Sequence, residues 1–206
     1  MKIRRFVCNA YAENCYVVSE GNGCIIIDPG FDPVSNELNG LYEYLTAENL
    51  TPEAILLTHS HPDHTLGVKP LVERFNIPVY SGTTDPGGAE SASGAFSRTG
   101  LQSNVEEGGF QVIATPGHTP DSVCYYSEKD AVLFTGDTLF AGTIGRTDLP
   151  GGNYDDEIRS IMEKLIFLPG ETVIWPGHGP QSTIARERMS NPFLEPFNER
   201  EEMDLD

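Results

Sequence analysis

From residue 58 the chain reads Thr58-His59-Ser60-His61-Pro62-Asp63-His64, three imidazoles and a carboxylate within one short run. Neutral imidazole and carboxylate suit zinc or iron, and the absence of thiolates speaks against a cysteine-built structural zinc site. The alternative is a turn that merely happens to be rich in histidine. The count decides against it, because the chain has five histidines and three of them are here. The other two are His118 in Thr115-Pro116-Gly117-His118-Thr119 and His178 in Trp175-Pro176-Gly177-His178-Gly179. Each stands in a Pro/Gly turn after an apolar run, so the pattern is a metal site assembled from loops. Nothing resembles a serine or cysteine nucleophile, and no Gly-x-Ser-x-Gly elbow occurs.

These loops need strands to deliver them. Ala54-Ile55-Leu56-Leu57 leads into the histidine loop, so residues 53–58 are read as a strand. Before it, the runs 3–8, 15–19 and 23–28 are short and β-rich, and Asn, Glu and Gly separate them as in a meander. Over 33–48 the period changes: Leu38, Leu41, Tyr42 and Leu45 form one helical stripe, which Val68, Leu71, Val72 and Phe75 repeat later. Residues 78–81 form a brief strand, and residues 110–115, 122–127 and 131–135 restore strand character. Ile158, Ile161, Met162 and Leu165 make a third stripe, with Asn153 as its N-cap. Residues 172–175 form a strand leading to His178, and 181–190 a last helix stopped near Pro192. Residues 82–109 hold seven glycines with almost no periodicity, which implies a long loop, either a lid over the substrate or an insertion. The acidic tail, 199–206, is expected to fray. This order of strands and helices implies a layered α/β fold.

The run from Thr58 to His64, then His118, then Asp137 in Phe134-Thr135-Gly136-Asp137-Thr138, then His178, resembles the ligand set of the metallo-β-lactamase superfamily. Asp28-Pro29-Gly30 is similar to the acidic turn found early in such chains. Gly145-Arg146-Thr147-Asp148 most resembles the hydroxyacylglutathione hydrolase (glyoxalase II) branch and its relative, the persulfide dioxygenases. The resemblance implies an αββα four-layer sandwich and two divalent metal ions, zinc first, with iron or manganese as alternatives. It assigns His59, His61 and His118 to one ion and Asp63, His64 and His178 to the other, with Asp137 bridging. The implied nucleophile is a bridging hydroxide, with Asp63 and Asp137 as the catalytic carboxylates, although Asp63 is read equally as a ligand or as an orienter of that hydroxide. Asp28 is placed beside the metals, where it fixes the tautomer of a ligand histidine. Arg146 either holds an anionic substrate or pairs with Asp148 to pin its loop, and the structural reading is favoured. The chain leaves no room for the further helical domain of full-length glyoxalase II, so the short glyoxalase II-like proteins are the expected relatives. The implied activity is hydrolysis of a hydroxyacylglutathione-type thioester, a small anionic thiol ester. A mononuclear iron persulfide dioxygenase using His59, His118 and Asp137, a lactonase or other ester hydrolase, and a non-catalytic metal-binding protein are the rivals.

Composition narrows the field further. With 206 residues and 38% hydrophobic content, one domain over 1–206 with a good core is expected. Thirteen basic against thirty-one acidic residues give a formal charge of −18, which opposes nucleic-acid binding and demotes a nuclease. Cys8, Cys15, Cys24 and Cys124 show no CxxC spacing and are read as reduced core residues. No segment has the length of a signal peptide or membrane span, so a cytoplasmic protein without a membrane partner is expected. The sequence is silent on oligomeric state.

Overall fold

The computed structural model of the protein describes residues 1–82, 106–107 and 109–195. Its first sheet has the order β1-β2-β3-β4-β5, made of β1 (Lys2–Cys8), β2 (Glu13–Glu20), β3 (Gly23–Ile27), β4 (Thr51–Leu56) and β5 (Val79–Tyr80). The first three strands are antiparallel, and β3, β4 and β5 run parallel. Parallel neighbours need crossovers, supplied here by α1 (Glu37–Ala47), then by α2 (Pro62–Thr65) and α3 (Val68–Phe75).

The second sheet has the order β13-β12-β9-β8-β7-β6. Its strands are β6 (Glu106–Glu107), β7 (Phe110–Ala114), β8 (Val123–Ser127), β9 (Val132–Gly136), β12 (Val173–Pro176) and β13 (Ser182–Thr183). A hairpin of β10 (Leu139–Phe140) and β11 (Thr143–Ile144) stands beside it. Helices α4 (Tyr154–Ser160) and α5 (Ile184–Ser190) complete the chain order.

The layering follows from the two-residue period of strands that are buried on both faces. In β2, Cys15 and Val17 face the cluster built with Leu38, Leu41, Leu45, Val68 and Leu71 of the helices, while Tyr16 and Val18 face the other sheet. The second sheet mirrors this. Cys124, Leu133 and Ile174 pack with Ile161, Leu165 and Ile184 on its outer side. Tyr125, Phe134 and Trp175 point inward to meet Tyr16, Ile27 and Leu56. Helix, sheet, sheet and helix therefore stack as the αββα sandwich.

The helix stripes expected from sequence lie on the sheets, and Asn153 caps α4 by accepting from the Asp156 N–H at 3.2 Å. Beyond Ser160 the helix widens into a π turn over Ile161–Leu165. Three details differ from expectation, the first being that Glu106 and Glu107, inside the stretch 82–109 expected to be loop, pair with β7 as β6. The β10–β11 hairpin has strands of two residues, too short for alternation to register. The last helix starts at Ile184 rather than at 181, because Ser182 and Thr183 pair with β12 and the Thr183 hydroxyl caps the helix on the Arg186 N–H. Most of the proposed lid (83–105 and 108) and the tail 199–206 lie outside the described residues. No helix among the described residues is long and apolar enough to cross a membrane.

Candidate metal centre

One edge of the sandwich collects the histidines. Strand β4 of the first sheet runs out through Leu57 and Thr58 to His59 and His61, and α2 then carries Asp63 and His64 within a single turn. Pro62 opens that turn at a position where its missing N–H costs nothing. From the second sheet, β7 leads to His118, β9 to Asp137 and β12 to His178. The Val123 N–H donates to the Thr58 carbonyl at 2.8 Å, so the sheets are joined beside the site. Gly177 is needed for this closeness, since a Cβ there would collide with Asp137 Oδ1 and His64 Cε1.

The groups divide into two clusters that share Asp137. His61 Nδ1 lies 3.1 Å from His59 Nε2 and 2.9 Å from His118 Nε2. Nitrogens on a common tetrahedral zinc would stand roughly 3.3 Å apart, given bonds of about 2.0–2.1 Å. In the second cluster, His178 Nε2 lies 3.3 Å from Asp63 Oδ2, and His64 Nε2 is 3.9 Å from the same oxygen. Asp137 stands between them, with Oδ1 3.4 Å from His64 Nε2 and Oδ2 3.7 Å from His118 Nε2 and 3.6 Å from His178 Nε2.

The outward nitrogens fix the tautomers. His118 Nδ1 donates to the Arg146 carbonyl at 2.7 Å, and His178 Nδ1 to the Tyr11 carbonyl at 3.1 Å. His64 Nδ1 donates to Asp28 Oδ2 at 3.0 Å. The Thr58 hydroxyl donates to the same carboxylate at 2.6 Å and accepts from His59 Nδ1 at 3.0 Å. Carbonyls and carboxylates only accept, and the Thr58 hydroxyl has committed its own proton to Asp28, so these four rings hold a proton on Nδ1 and turn Nε2 inward. Among the described residues, His64 Nε2 and Asp137 Oδ1 are buried without a hydrogen-bond partner. Such atoms are costly unless something positive meets them. The donor set, its spacing and its orphaned atoms all fit divalent cations.

Burial, helped by the neighbouring imidazoles, holds His59 well below the ordinary imidazole range, and His61 is lowered mainly by burial. Both stay neutral, the form a metal ligand needs. Burial opposes charge on His64 too, but Asp137 and Asp28 outweigh it and raise its pKa. The imidazoles likewise overcome burial at Asp137 and lower it. The carboxylates therefore draw positive charge to this spot.

Asp28 is buried and accepts from the Thr58 N–H at 2.7 Å in addition to the bonds above. Arg146 and Asp148 form an exposed two-pronged pair at 2.8 and 2.7 Å. Their loop reaches the site through the Arg146 backbone, whose carbonyl orients His118. An open cleft of about 520 Å³ lies over the centre, with Tyr11, Pro62, Phe140, Arg146 and Leu149 as its walls.

Sequence reasoning missed two carboxylates. Glu13 is completely buried, with both oxygens lacking a hydrogen-bond partner among the described residues and Oε1 3.8 Å from His64 Nδ1. Glu157 is also completely buried, and burial pushes its carboxyl up to about 8 against the pull of the His118 and Gly145 backbone N–H groups. Its place one turn before Ile161, on the buried side of the helix, was the one available signal.

The metallo-beta-lactamase superfamily model matches residues 8–178. A probable metallo-hydrolase of Bacillus subtilis, YqgX, is 36% identical over 96% of this chain and 100% of its own length. The Haemophilus influenzae hydroxyacylglutathione hydrolase GloC is 34% identical over 94% of this chain and 98% of its own. Among solved structures, TTHA1623 in a di-iron-bound form superposes with a TM-score of 0.82 at 38% identity, covering 93% of this chain and 100% of that one. Matched by this model over most of its length and similar to these proteins along nearly all of it, the chain belongs to the metallo-beta-lactamase superfamily.

Proposed function

We propose that this chain is a metal-dependent hydrolase that cleaves a thioester of the hydroxyacylglutathione type at the cleft above His61 and Asp137. The observation that carries the reading is the inward convergence of imidazole nitrogens on a shared aspartate at the floor of an open cleft. His59, His61 and His118 hold one divalent cation, Asp63, His64 and His178 the other, and Asp137 serves both; side-chain atoms within each set of three lie within 4.8 Å of one another. Zinc suits the donors, and the di-iron form of a 38% identical structure supports iron. Bound there, the cations would polarise the scissile carbonyl and lower the pKa of water.

The chain's own residues do the rest. Asp28, Thr58 and the Arg146 and Tyr11 carbonyls keep four rings from turning. Asp63, half-buried at the cleft, is placed to orient water toward the acyl carbon and to take up its proton. Water adds, the carbon–sulfur bond breaks and the thiolate leaves through the open side. Substrate is a small anionic thiol ester, as the similarity to GloC supports.

The test is an assay pair on metal-loaded protein: S-lactoylglutathione cleavage, followed by loss of thioester absorbance, and oxygen uptake with glutathione persulfide. Thioester loss without oxygen uptake and two metals per chain are expected. One iron per chain with oxygen consumed would replace this reading by the persulfide dioxygenase. Silence in both would point to another ester or a lactone, and full activity in metal-stripped protein with chelator still present would overturn the metal-dependent reading.

A further inference from the structure

Helix α4 and its N-cap touch the His118 turn at three points, through residues that are themselves outside the ligand set. The Asn153 N–H donates to the Gly117 carbonyl at 2.8 Å, the His118 N–H donates to Glu157 Oε2 at 2.8 Å, and the Ser160 hydroxyl donates to the Pro116 carbonyl at 2.8 Å. Residues 153, 157 and 160 follow helical spacing, so one face of the helix addresses three successive residues of the turn. Only the middle contact reaches a residue of the centre. Gly117 and Glu157 interlock: a Cβ at 117, where φ is +156°, would strike both the Cα and Oε2 of Glu157. The other carboxylate oxygen, Oε1, lies against Gly145, where a Cβ would come within 2.7 Å of it. Gly145 precedes Arg146, whose carbonyl accepts the hydrogen bond from His118 Nδ1. The two loops that fix the His118 backbone and ring thus meet at one buried side chain.

We propose that Glu157 is a positioning residue for His118: as acceptor for its backbone N–H and as packing surface for the Gly145–Arg146 loop, it sets how tightly the cation of the His59, His61 and His118 set is held. The proposal rests on the metal reading above. A carboxyl group in a fully buried place is expensive to keep, and a leucine or methionine would fill the same space without that cost. What they lack is an acceptor at this reach. Supporting groups of this kind typically change metal affinity by about 10–100-fold.

The test exchanges the full-length chain into Co(II), whose visible absorption reports its ligands, and titrates it against a chelator. Three variants separate acceptor, charge and volume. Glu157→Gln keeps length and an acceptor without charge. Glu157→Asp keeps charge but withdraws the carboxylate by about 1.5 Å, beyond hydrogen-bond reach of a nitrogen now 2.8 Å away. Glu157→Met keeps volume alone. Gln is expected to match the parent, while Asp and Met release the first Co(II) about 10–100-fold more readily with altered absorption, the second ion staying in place. His118→Ala is the reference for loss of that ion. If Asp, which retains a polar side chain even should Met fail to fold, holds Co(II) as the parent does while His118→Ala does not, the proposal fails and the metal reading stands. Gln falling with Asp would equally overturn it, since charge would then be the cause. Should the parent and His118→Ala bind alike, or neither bind Co(II), both readings fall together.

Discussion

Replacing Asp28 by asparagine changes one atom from acceptor to donor at the best-connected point of the centre. The backbone tolerates it, because Asp28 sits at φ +47° and asparagine is among the residues that adopt this conformation readily. The amide oxygen can keep the Thr58 N–H bond of 2.7 Å. The new NH₂ then faces the Thr58 hydroxyl and His64 Nδ1, which now reach Asp28 Oδ2 at 2.6 and 3.0 Å. Donor meets donor at His64, and the ring escapes by moving its proton to Nε2, where Asp137 Oδ1 waits at 3.4 Å. Metal-free protein therefore loses little, but a cation must displace that proton and restore an unpaired N–H against the amide. An unsatisfied buried donor costs about 1–3 kcal/mol, and a tenfold loss of affinity corresponds to about 1.4 kcal/mol, so a weakening of roughly 10–100-fold follows. The assay is competition for metal with a chromogenic chelator at neutral pH, beside urea unfolding of stripped protein. Equal metal affinity in Asp28→Asn and parent would refute the tautomer reasoning. A stability loss as large without metal as with it would show that Asp28 serves the fold alone.

Asp137→Ala and His118→Ala should abolish activity and lower metal content while circular dichroism stays native, because both residues stand on loops outside the three apolar clusters. Gly177→Ala should reduce metal content measured by elemental analysis, as the added methyl falls on Asp137 and His64. Tyr16→Phe removes a 2.6 Å bond to the Pro176 carbonyl, which keeps its bond from Asn14 at 2.9 Å; a loss of about 0.5–1.5 kcal/mol in urea unfolding is expected. All four cysteines are buried, and burial pushes Cys24 and Cys124 up to about 12. A chromogenic disulfide reagent at pH 8 should therefore find no fast thiol until the protein is denatured.

The ligand loops are legible in the sequence because histidine is scarce and each motif follows its own apolar run. The helices are legible because Leu38, Leu41 and Leu45, or Ile158, Ile161 and Leu165, carry a period that only a helix has. Which sheet each strand joins is not legible. Cys15-Tyr16-Val17-Val18 and Cys24-Ile25-Ile26-Ile27 are apolar on both faces, so nothing in their order tells the helix side from the sheet side. Glu13 and Glu157 escape for a different reason: a glutamate is ordinarily a surface residue. Its burial shows only when the His64 and His118 loops close around it. The Phe140 hairpin escapes because its strands are too short to show alternation.

The inward side chains between the sheets give the protein a reporter of its own. Its one tryptophan, Trp175, stands edge-on to Tyr16 of the first sheet at 5.5 Å and tilted against Phe134 of the second at 6.2 Å. Its indole nitrogen is enclosed and without a hydrogen-bond partner among the described residues, and His178 follows three residues later. Fluorescence excited at the red edge therefore comes from a single place, the seam where the halves of the molecule meet. Water entering that seam shifts the emission to longer wavelength, while far-ultraviolet dichroism follows the helices outside. Coincidence of the two curves during unfolding would mean that the halves separate and melt as one cooperative body. An emission change that comes first would reveal two sheets that part before either is lost.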